Sequence, residues 1–163
     1  MNYLSLKKCD IANGKYFHVT LWVSGCSHAC PGCFNPQSHD FDAGKPFTED
    51  TMQKILRELR REANDAFTVT GGDPLHPRNV STVAEICKRV KEEIGCPVWL
   101  WTGYVLEDLD DAQNECLKWV DYVVDGPFII AKRDISLKWR GSRQSTNLQA
   151  TRNTTDFGWT SRT

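Results

Sequence analysis

Three cysteines occupy one short stretch of the chain, at Cys26, Cys30 and Cys33. Their C-x3-C-x2-C spacing follows directly after an apolar stretch that has the composition of a β-strand. Iron–sulfur clusters are bound by cysteine thiolates and usually take four of them. Three thiolates on one tight loop can hold three corners of a cubic cluster and leave the fourth iron open. The spacing therefore indicates a cluster at which a small molecule binds and reacts, which is a catalytic arrangement.

A structural zinc site is the main alternative for these cysteines. Together with His28 or His39 they offer the Cys3His ligand set that tetrahedral zinc accepts. Zinc modules usually bring their ligands in two separated pairs, and no second C-x2-C pair follows in the sequence. A disulfide framework is disfavoured, because seven cysteines is an odd number and we expect no secretory signal at the start of the chain. The spacing favours the cluster and leaves zinc as an open alternative.

The composition is that of an ordinary globular protein. The 163 residues suffice for one domain whose core needs no disulfides, and 40% of them are hydrophobic while 25% are charged. No apolar run approaches the roughly 20 residues that span a bilayer. A formal net charge of −1 gives no indication of nucleic-acid binding. Because thiols stay reduced in the cytosol, we expect a cytoplasmic enzyme.

Strand-like and helix-like segments alternate along the chain. β-Branched and aromatic residues mark each strand, and Thr48 is placed to cap a helix that has one apolar face. The predicted strands are residues 17–24, 67–70, 97–102 and 119–124, and the predicted helices follow Thr48 and span residues 80–94 and 105–118. This alternation predicts repeated βα units.

Repeated βα units predict an α/β fold with a mostly parallel sheet. In such sheets the chemistry collects at the carboxyl ends of the strands. The cysteine loop follows the first predicted strand, and Gly71-Gly72-Asp73-Pro74 follows the second. Both unusual loops are therefore expected at the same rim. Four strands are too few for a closed barrel of eight, so we predict an open, partial (β/α) barrel whose open side suits a large substrate.

The last part of the chain differs in composition from the rest. Residues 145–163 are rich in Thr, Asn, Ser and Arg and lack apolar periodicity. We therefore predict one domain over residues 1–144 and a flexible C-terminal tail over residues 145–163. A docking segment for an acidic protein partner is the alternative interpretation of the tail.

Several short motifs resemble those of one enzyme family. The C-x3-C-x2-C loop, followed directly by the aromatic Phe34, resembles that of the radical S-adenosylmethionine (SAM) enzymes. Further motifs occur in order between about residues 9 and 144, and together they resemble the glycyl-radical activases of anaerobic ribonucleoside-triphosphate reductase. These motifs are Asp10-Ile11-Ala12-Asn13-Gly14, Val23-Ser24-Gly25-Cys26, Cys30-Pro31-Gly32-Cys33, Gly71-Gly72-Asp73-Pro74-Leu75-His76-Pro77, Trp101-Thr102-Gly103-Tyr104, Val124-Asp125-Gly126 and Trp139-Arg140-Gly141-Ser142.

The resemblance implies a radical SAM oxidoreductase with the partial barrel of that family. Cys26, Cys30 and Cys33 would ligate a [4Fe-4S] cluster, and the amino and carboxylate groups of SAM would chelate the fourth iron. One electron from the cluster would cleave the sulfonium bond and yield a 5′-deoxyadenosyl radical, which takes hydrogen from a glycine of the reductase. The cofactors carry this chemistry, while the protein orients them and excludes side reactions.

The resemblance also implies the partners. The protein substrate would be an anaerobic ribonucleoside-triphosphate reductase, and the electron would come from a low-potential donor such as reduced flavodoxin. Neither nucleic acid nor a membrane is expected as a partner. Two alternatives stay open at this point: an activase of another glycyl-radical enzyme, and a zinc-stabilised interaction module without catalysis.

Besides the third cysteine, five residues receive cofactor-binding roles through the resemblance. Gly32 lets the backbone bend closely around the cluster, and Phe34 packs against the adenine at a position where the family often has a tyrosine. Gly71 and Gly72 leave room for the methionyl group of SAM. Asp73 or backbone oxygens accept hydrogen bonds from its ammonium group. From the residues alone, the Gly-Gly-Asp-Pro sequence is equally compatible with a plain turn.

Overall fold

An eight-stranded sheet and three α-helices make up the computed structural model, which describes residues 1–143, 145–152 and 157–161. The strands are β1 (Asn2–Asp10), β2 (His18–Val23), β3 (Lys45–Pro46), β4 (Ala66–Gly71), β5 (Val98–Trp101), β6 (Tyr122–Asp125), β7 (Thr146–Arg152) and β8 (Phe157–Ser161). The helices are α1 (Glu49–Leu59), α2 (Val80–Glu93) and α3 (Asp111–Leu117), and short 3-10 turns lie at Pro36–Ser38, Leu106–Asp108 and Ile130–Lys132.

The sheet is mixed and open, with the strand order β3-β1-β2-β4-β5-β6-β7-β8. Its four middle strands, β2, β4, β5 and β6, pair in parallel, and they are the four strands that the sequence predicts. The pairings of β1 with β2 and β3, of β6 with β7, and of β7 with β8 are antiparallel. The predictions of an α/β fold and of a sheet that does not close are confirmed, whereas the partial barrel of the radical SAM type stays a prediction. The prediction of a mostly parallel sheet is wrong, because the flanking strands run antiparallel to their neighbours.

The two faces of the parallel strands differ, because successive side chains on a strand point to opposite sides. On β2, Val19, Leu21 and Val23 are fully buried in the hydrophobic core that the helices share with the sheet. His18 and Trp22 alternate with them on the opposite face, where Trp22 lines an open cleft. One face of the sheet thus holds the fold together, and the other carries polar and aromatic side chains toward the cleft.

Helix α1 begins as the sequence predicts. The Thr51 N–H donates to the Thr48 side-chain oxygen at 3.4 Å, and Glu49 and Asp50 lie in the first turn, where the helix dipole favours negative charge. The apolar stripe of α1 is buried against the sheet, with Met52, Ile55, Leu56 and Leu59 all in the core.

Helix α3 is shorter than the helix predicted over residues 105–118. The chain first makes a 3-10 turn at Leu106–Asp108, and Asp110 and Gln113 then form a capping box that starts α3 at Asp111. Helix α2, with 14 residues, is the longest helix in the part of the chain that the structure describes. No helix in that part is both long and apolar enough to cross a lipid bilayer.

Four strands lie outside those that the sequence predicts. β1 and β3 extend the sheet on one side, and β1 gives little periodic signal because Lys7, Lys8 and Cys9 are exposed in succession. β7 and β8 extend it on the other side and fall within the predicted tail, residues 145–163. Residues 153–156 and 162–163 of that tail lie outside the described residues. The flexibility of the tail and the domain boundary at residue 144 stay predictions.

Candidate functional site

A cleft of about 540 Å³ opens at the carboxyl ends of the parallel strands. The cysteine loop after β2 and the Gly-Gly-Asp-Pro turn after β4 both line it, so the two loops share one rim, as the sequence predicts. The cleft brings together all the residues for which the sequence predicts a role in cofactor binding. These residues are Cys26, Cys30, Gly32, Cys33, Phe34, Gly71, Gly72 and Asp73. Their individual roles stay predictions.

The cysteine loop is irregular and is shaped by tight turns. The Cys33 N–H donates to the Cys30 carbonyl at 3.0 Å, which closes a turn between the second and third cysteines. Ala29 has a φ of 47° and Gly32 a φ of 74°, in the left-handed region that favours glycine. These residues reverse the chain between the cysteines, so thiols at irregular sequence spacing reach the same cleft. An alanine in this region is strained, and such residues cluster at functional sites.

The three thiols form a donor set that fits an iron–sulfur cluster. All three cysteines are free and half-buried. Burial raises the pKa of the Cys26 thiol, so it keeps its proton until a metal displaces it. Among the described residues, no three Cys, His, Asp or Glu side chains are grouped so as to hold one metal ion. Three thiols on one loop provide the thiolate donor set that iron–sulfur clusters take.

His28, one of the two candidates for a fourth zinc ligand, is bonded elsewhere. Its Nε2 lies 2.7 Å from Asp73 Oδ2, and its ring packs edge-on against Tyr104 with centroids 4.6 Å apart. The hydrogen bond with Asp73 raises the pKa of His28. Gly103 makes room for the imidazole, because a Cβ there would lie 2.6 Å from the His28 ring. His28, which is itself part of the cysteine loop and lines the cleft, therefore links that loop to Asp73.

The Asp73 carboxylate is buried and accepts hydrogen bonds from four groups. The Leu75 N–H and the Thr102 hydroxyl each donate to Oδ1 at 2.9 Å. The His28 ring and the Gly103 N–H reach Oδ2 at 2.7 Å and 2.8 Å. Asp73 thus ties the cysteine loop to the ends of β4 and β5. Its carboxylate is used within the protein, and its predicted hydrogen bond to the SAM ammonium stays a prediction.

Gly71 and Gly72 let the two rim loops pack backbone against backbone. A Cβ on Gly72 would lie 2.5 Å from the Gly25 carbonyl oxygen, and one on Gly71, whose φ is 112°, would lie 2.7 Å from the Val23 carbonyl oxygen. The Asp73 N–H donates to the same Gly25 carbonyl at 2.8 Å. The sequence predicts that these glycines leave room for SAM. The structure adds that a side chain at either position would collide with the backbone that leads into the cysteine loop.

Asn79 is a site residue that the sequence analysis missed. Its buried side-chain amide donates to the carbonyls of Ser24 and Asp73, both at 2.9 Å, and to that of Gly25 at 3.3 Å. One amide therefore fastens the start of the cysteine loop to the turn after β4. Asn79 directly precedes α2, where asparagine usually caps the helix, yet it makes no side-chain cap bond. Its position suggests a helix cap and so hides this role in the sequence.

Phe34 and Gly32 shape the outer wall of the loop. The Phe34 side chain is 83% exposed and packs edge-on against Trp22, with ring centroids 5.9 Å apart. This leaves the ring open for the stacking contact that the sequence predicts. A Cβ on Gly32 would lie 2.6 Å from the side chain of Ile130, so this glycine lets the facing wall of the cleft approach the cysteines.

Comparison with known proteins adds independent findings. Residues 12–147 match the model of a protein family described as a 4Fe-4S single cluster domain. A protein of Haemophilus influenzae is 46% identical over 147 residues, which cover 87% of this chain and 94% of the relative. One of Escherichia coli strain K12 is 40% identical with the same coverage, and one of Enterobacteria phage T4 is 37% identical over 145 residues, covering 87% of this chain and 90% of the relative. All three relatives are named anaerobic ribonucleoside-triphosphate reductase-activating protein. The family match, which includes every cleft residue named above, supports an iron–sulfur cluster as cofactor.

Proposed function

The chain belongs to the family of anaerobic ribonucleoside-triphosphate reductase-activating proteins, and from this premise we propose that it is a radical SAM activase. It reductively cleaves SAM at a [4Fe-4S] cluster held by Cys26, Cys30 and Cys33 and generates a glycyl radical on an anaerobic ribonucleoside-triphosphate reductase. It takes its electron from a low-potential donor such as reduced flavodoxin. We place the activity in the cytoplasm, where cysteine thiols stay reduced.

The observation that carries this proposal is the convergence of three free thiols on one open cleft. When bound there, the cluster and SAM supply the electron and the radical chemistry that the protein lacks. The cleft volume of about 540 Å³ lies within the usual range for sites that enclose a small molecule. Because the sheet is open, a segment of a second protein can reach the same space. These features support the partial barrel of the radical SAM type, over residues 1–144, as the catalytic unit.

The residues around the thiols hold and orient the reactants in this proposal. The exposed ring of Phe34 stacks on the adenine of SAM. The backbone around Gly71 and Gly72 lies against the methionyl group. Asp73 and Asn79 fix the two loops relative to each other, so the thiols and the bound SAM keep one geometry.

Spectroscopy of a cysteine variant tests the proposal. The protein is reconstituted anaerobically with iron and sulfide and reduced with dithionite, and its electron paramagnetic resonance spectrum is recorded with and without SAM. We expect a [4Fe-4S]+ signal whose g values shift when SAM is added. In Cys30→Ala, SAM cleavage and glycyl-radical formation should fall to background while the circular dichroism spectrum is unchanged. Cys9→Ala, at an exposed position on β1, should behave like the wild type.

Three outcomes would contradict parts of the proposal. Normal SAM cleavage by Cys30→Ala would exclude these thiols as the cluster ligands. About one zinc per chain, without acid-labile sulfide, would instead indicate an interaction module stabilised by zinc. A glycyl radical formed on a different glycyl-radical enzyme, and not on the reductase, would keep the chemistry and change the partner.

A further inference from the structure

The chain between β6 and β7 forms a strap, residues 127–143, along one wall of the cleft. The base of the strap is closed by Asp125, whose carboxylate accepts a hydrogen bond from the Thr146 N–H at 3.1 Å. Within the strap, the Arg143 N–H donates to the Lys132 carbonyl at 3.1 Å. The two limbs of the strap are thus joined to each other, and its ends are joined to the sheet.

Side chains also fix the strap against the cleft. The Trp101 indole N–H donates to the Trp139 carbonyl at 3.1 Å, which anchors the strap to β5. The Asp134 carboxylate accepts from the Ser136 N–H at 2.9 Å and from the Arg143 guanidinium at 3.1 Å. The strap therefore presents a defined surface at the mouth of the cleft.

The strap is basic, whereas the rest of the chain is acidic. Residues 127–143 contain five Lys or Arg and one Asp, and the rest of the sequence contains 15 Lys or Arg against 20 Asp or Glu. Arg143 is paired with Asp134, and Arg140 donates to a backbone carbonyl. The other three cations are exposed and have no carboxylate partner among the residues that the structure describes: Lys132, Arg133 and Lys138. Such a cluster concentrates positive potential beside the cleft.

Exposed apolar side chains lie next to these charges. Ile135 is 90% exposed and Ile130 is 56% exposed, and both line the cleft together with the exposed ring of Phe34. Exposed apolar residues rimmed by polar ones can mark a site that binds another protein. An apolar centre with a polar, solvent-accessible rim is the arrangement found in protein interfaces.

Building on the proposed function, we propose that the strap is the docking surface for the reductase. An acidic surface of the reductase, next to the segment that carries the target glycine, contacts Lys132, Arg133 and Lys138. Apolar residues of that segment pack on Ile130 and Ile135. Charge complementarity favours this occupant, because the strap beside the cleft carries a net positive charge while the rest of the chain is net negative.

The test separates docking from SAM chemistry. Lys132→Glu/Lys138→Glu reverses two exposed strap charges that do not line the cleft. Lys54→Glu/Arg57→Glu makes the same change in charge on the exposed side of α1 and serves as the matched control. Each reconstituted holoprotein is assayed for dithionite-driven SAM cleavage without reductase, and for glycyl-radical formation at varied reductase concentration.

We expect SAM cleavage without reductase to be the same in all three proteins. The KM for reductase should rise about tenfold in the strap variant, and by much less in the α1 variant, because charges at the rim of an interface mainly change the rate of encounter. The KM of the wild type should also rise with salt, more steeply than that of the strap variant.

Two results would overturn the docking inference alone, and they are distinguishable. If the strap variant and the wild type have the same KM and the same salt dependence, the reductase docks elsewhere. If the strap and α1 variants raise the KM equally, the affinity for the reductase depends on the net charge of the chain and not on the strap. A wild type that cleaves no SAM and forms no glycyl radical would instead overturn the proposed function, and the docking inference with it.

Discussion

The cysteine loop and the loop that follows β4 share one rim of the sheet but contribute to it in different ways. The cysteine loop supplies the thiols. Its backbone also forms hydrogen bonds with nearby backbone groups, as when the Gly25 N–H donates to the Ser38 carbonyl at 2.8 Å. The loop after β4 supplies Asp73 and Asn79, two buried polar side chains that reach across to the first loop. The loop that carries the chemistry is therefore positioned by the loop that does not.

This difference separates chemistry from positioning. Removal of a thiol takes away a ligand and leaves the bonds of Asp73 and Asn79 intact. Removal of Asp73 leaves every thiol present and releases the loop that carries them. The two kinds of variant should consequently differ in the free energy of unfolding even where both lose activity, and this contrast can be tested.

Asp73→Asn should have the largest effect on stability. An amide keeps one acceptor oxygen but places its NH2 group against the N–H donors that face the other oxygen, so at least one buried donor loses its partner. We expect the free energy of unfolding to fall by about 3 kcal/mol. Urea titration of the reduced protein measures this, with Asp108→Asn at an exposed position as the control, expected to change it by less than about 0.5 kcal/mol.

The same variant decides between two roles for Asp73. A stability close to that of the wild type, combined with loss of SAM binding, would mean that the carboxylate acts on the cofactor, as the sequence analysis predicts. A large loss of stability would support the positioning role that its four donors indicate.

Gly72→Ala should have a smaller effect on stability and a clear effect on the cluster. Its Cβ would lie 2.5 Å from a backbone oxygen of Gly25, next to Cys26, so one of the two rim loops must move. We expect the free energy of unfolding to fall by about 2 kcal/mol. We also expect a reduced iron content after reconstitution. Gly95→Ala is the control, because Gly95 has a φ of 77° but has no atom within 4 Å of the added carbon.

Gly95→Ala should lose about 1 kcal/mol of unfolding free energy through backbone strain alone, and it should bind iron fully. Full iron content in both variants would show that the cysteine loop tolerates displacement. The tight packing of the two loops would then be irrelevant to the cluster.

The features that depend on local spacing could be predicted from the sequence. The parallel strands and α1 follow from alternation such as Val19, Leu21 and Val23, and from a helical stripe that begins after Thr48. The cysteine loop follows from the spacing of three residues of one type. Each of these signals lies within about one element of the chain, where periodicity has a direct physical meaning.

The features that could not be predicted depend on contacts between distant parts of the chain. His28 and Asp73 are 45 residues apart in sequence, and Asn79 lies 55 residues from Ser24. No local pattern marks such a pair, and Asn79 in particular occupies a position where a helix cap is expected. β1 was missed for a related reason, because antiparallel pairing with β2 forms it while its exposed lysines break the alternation.

The weakest expected effect is that of His18. This residue begins β2 and so lies at the end of the parallel strands opposite to the two rim loops. Its Nε2 lies 2.7 Å from the Lys15 carbonyl, to which it can only donate, so in the neutral ring Nδ1 accepts from the Thr68 hydroxyl at 2.7 Å. The ring is fully buried, and desolvation lowers its pKa below the usual 6.5. This network holds the loop before β2 and includes neither of the two rim loops.

A lowered pKa in the folded state makes the contribution of His18 depend on pH in a defined direction. The unfolded chain binds the proton more readily, so this contribution is complete above about pH 6.5, declines as the pH falls below it, and levels off below the folded pKa. Urea titrations between pH 5 and pH 8, with their range set by the ordinary titration of histidine, should show this decline in the wild type and a smaller one in His18→Gln. His39→Gln, which replaces a histidine outside this network, is the matched control variant. If instead His18→Gln keeps the slope, the acid sensitivity comes from another histidine whose pKa burial lowers, such as His76, which follows the Gly-Gly-Asp-Pro turn. His28 is not that histidine, because its pKa is raised and its contribution to stability therefore grows as the pH falls.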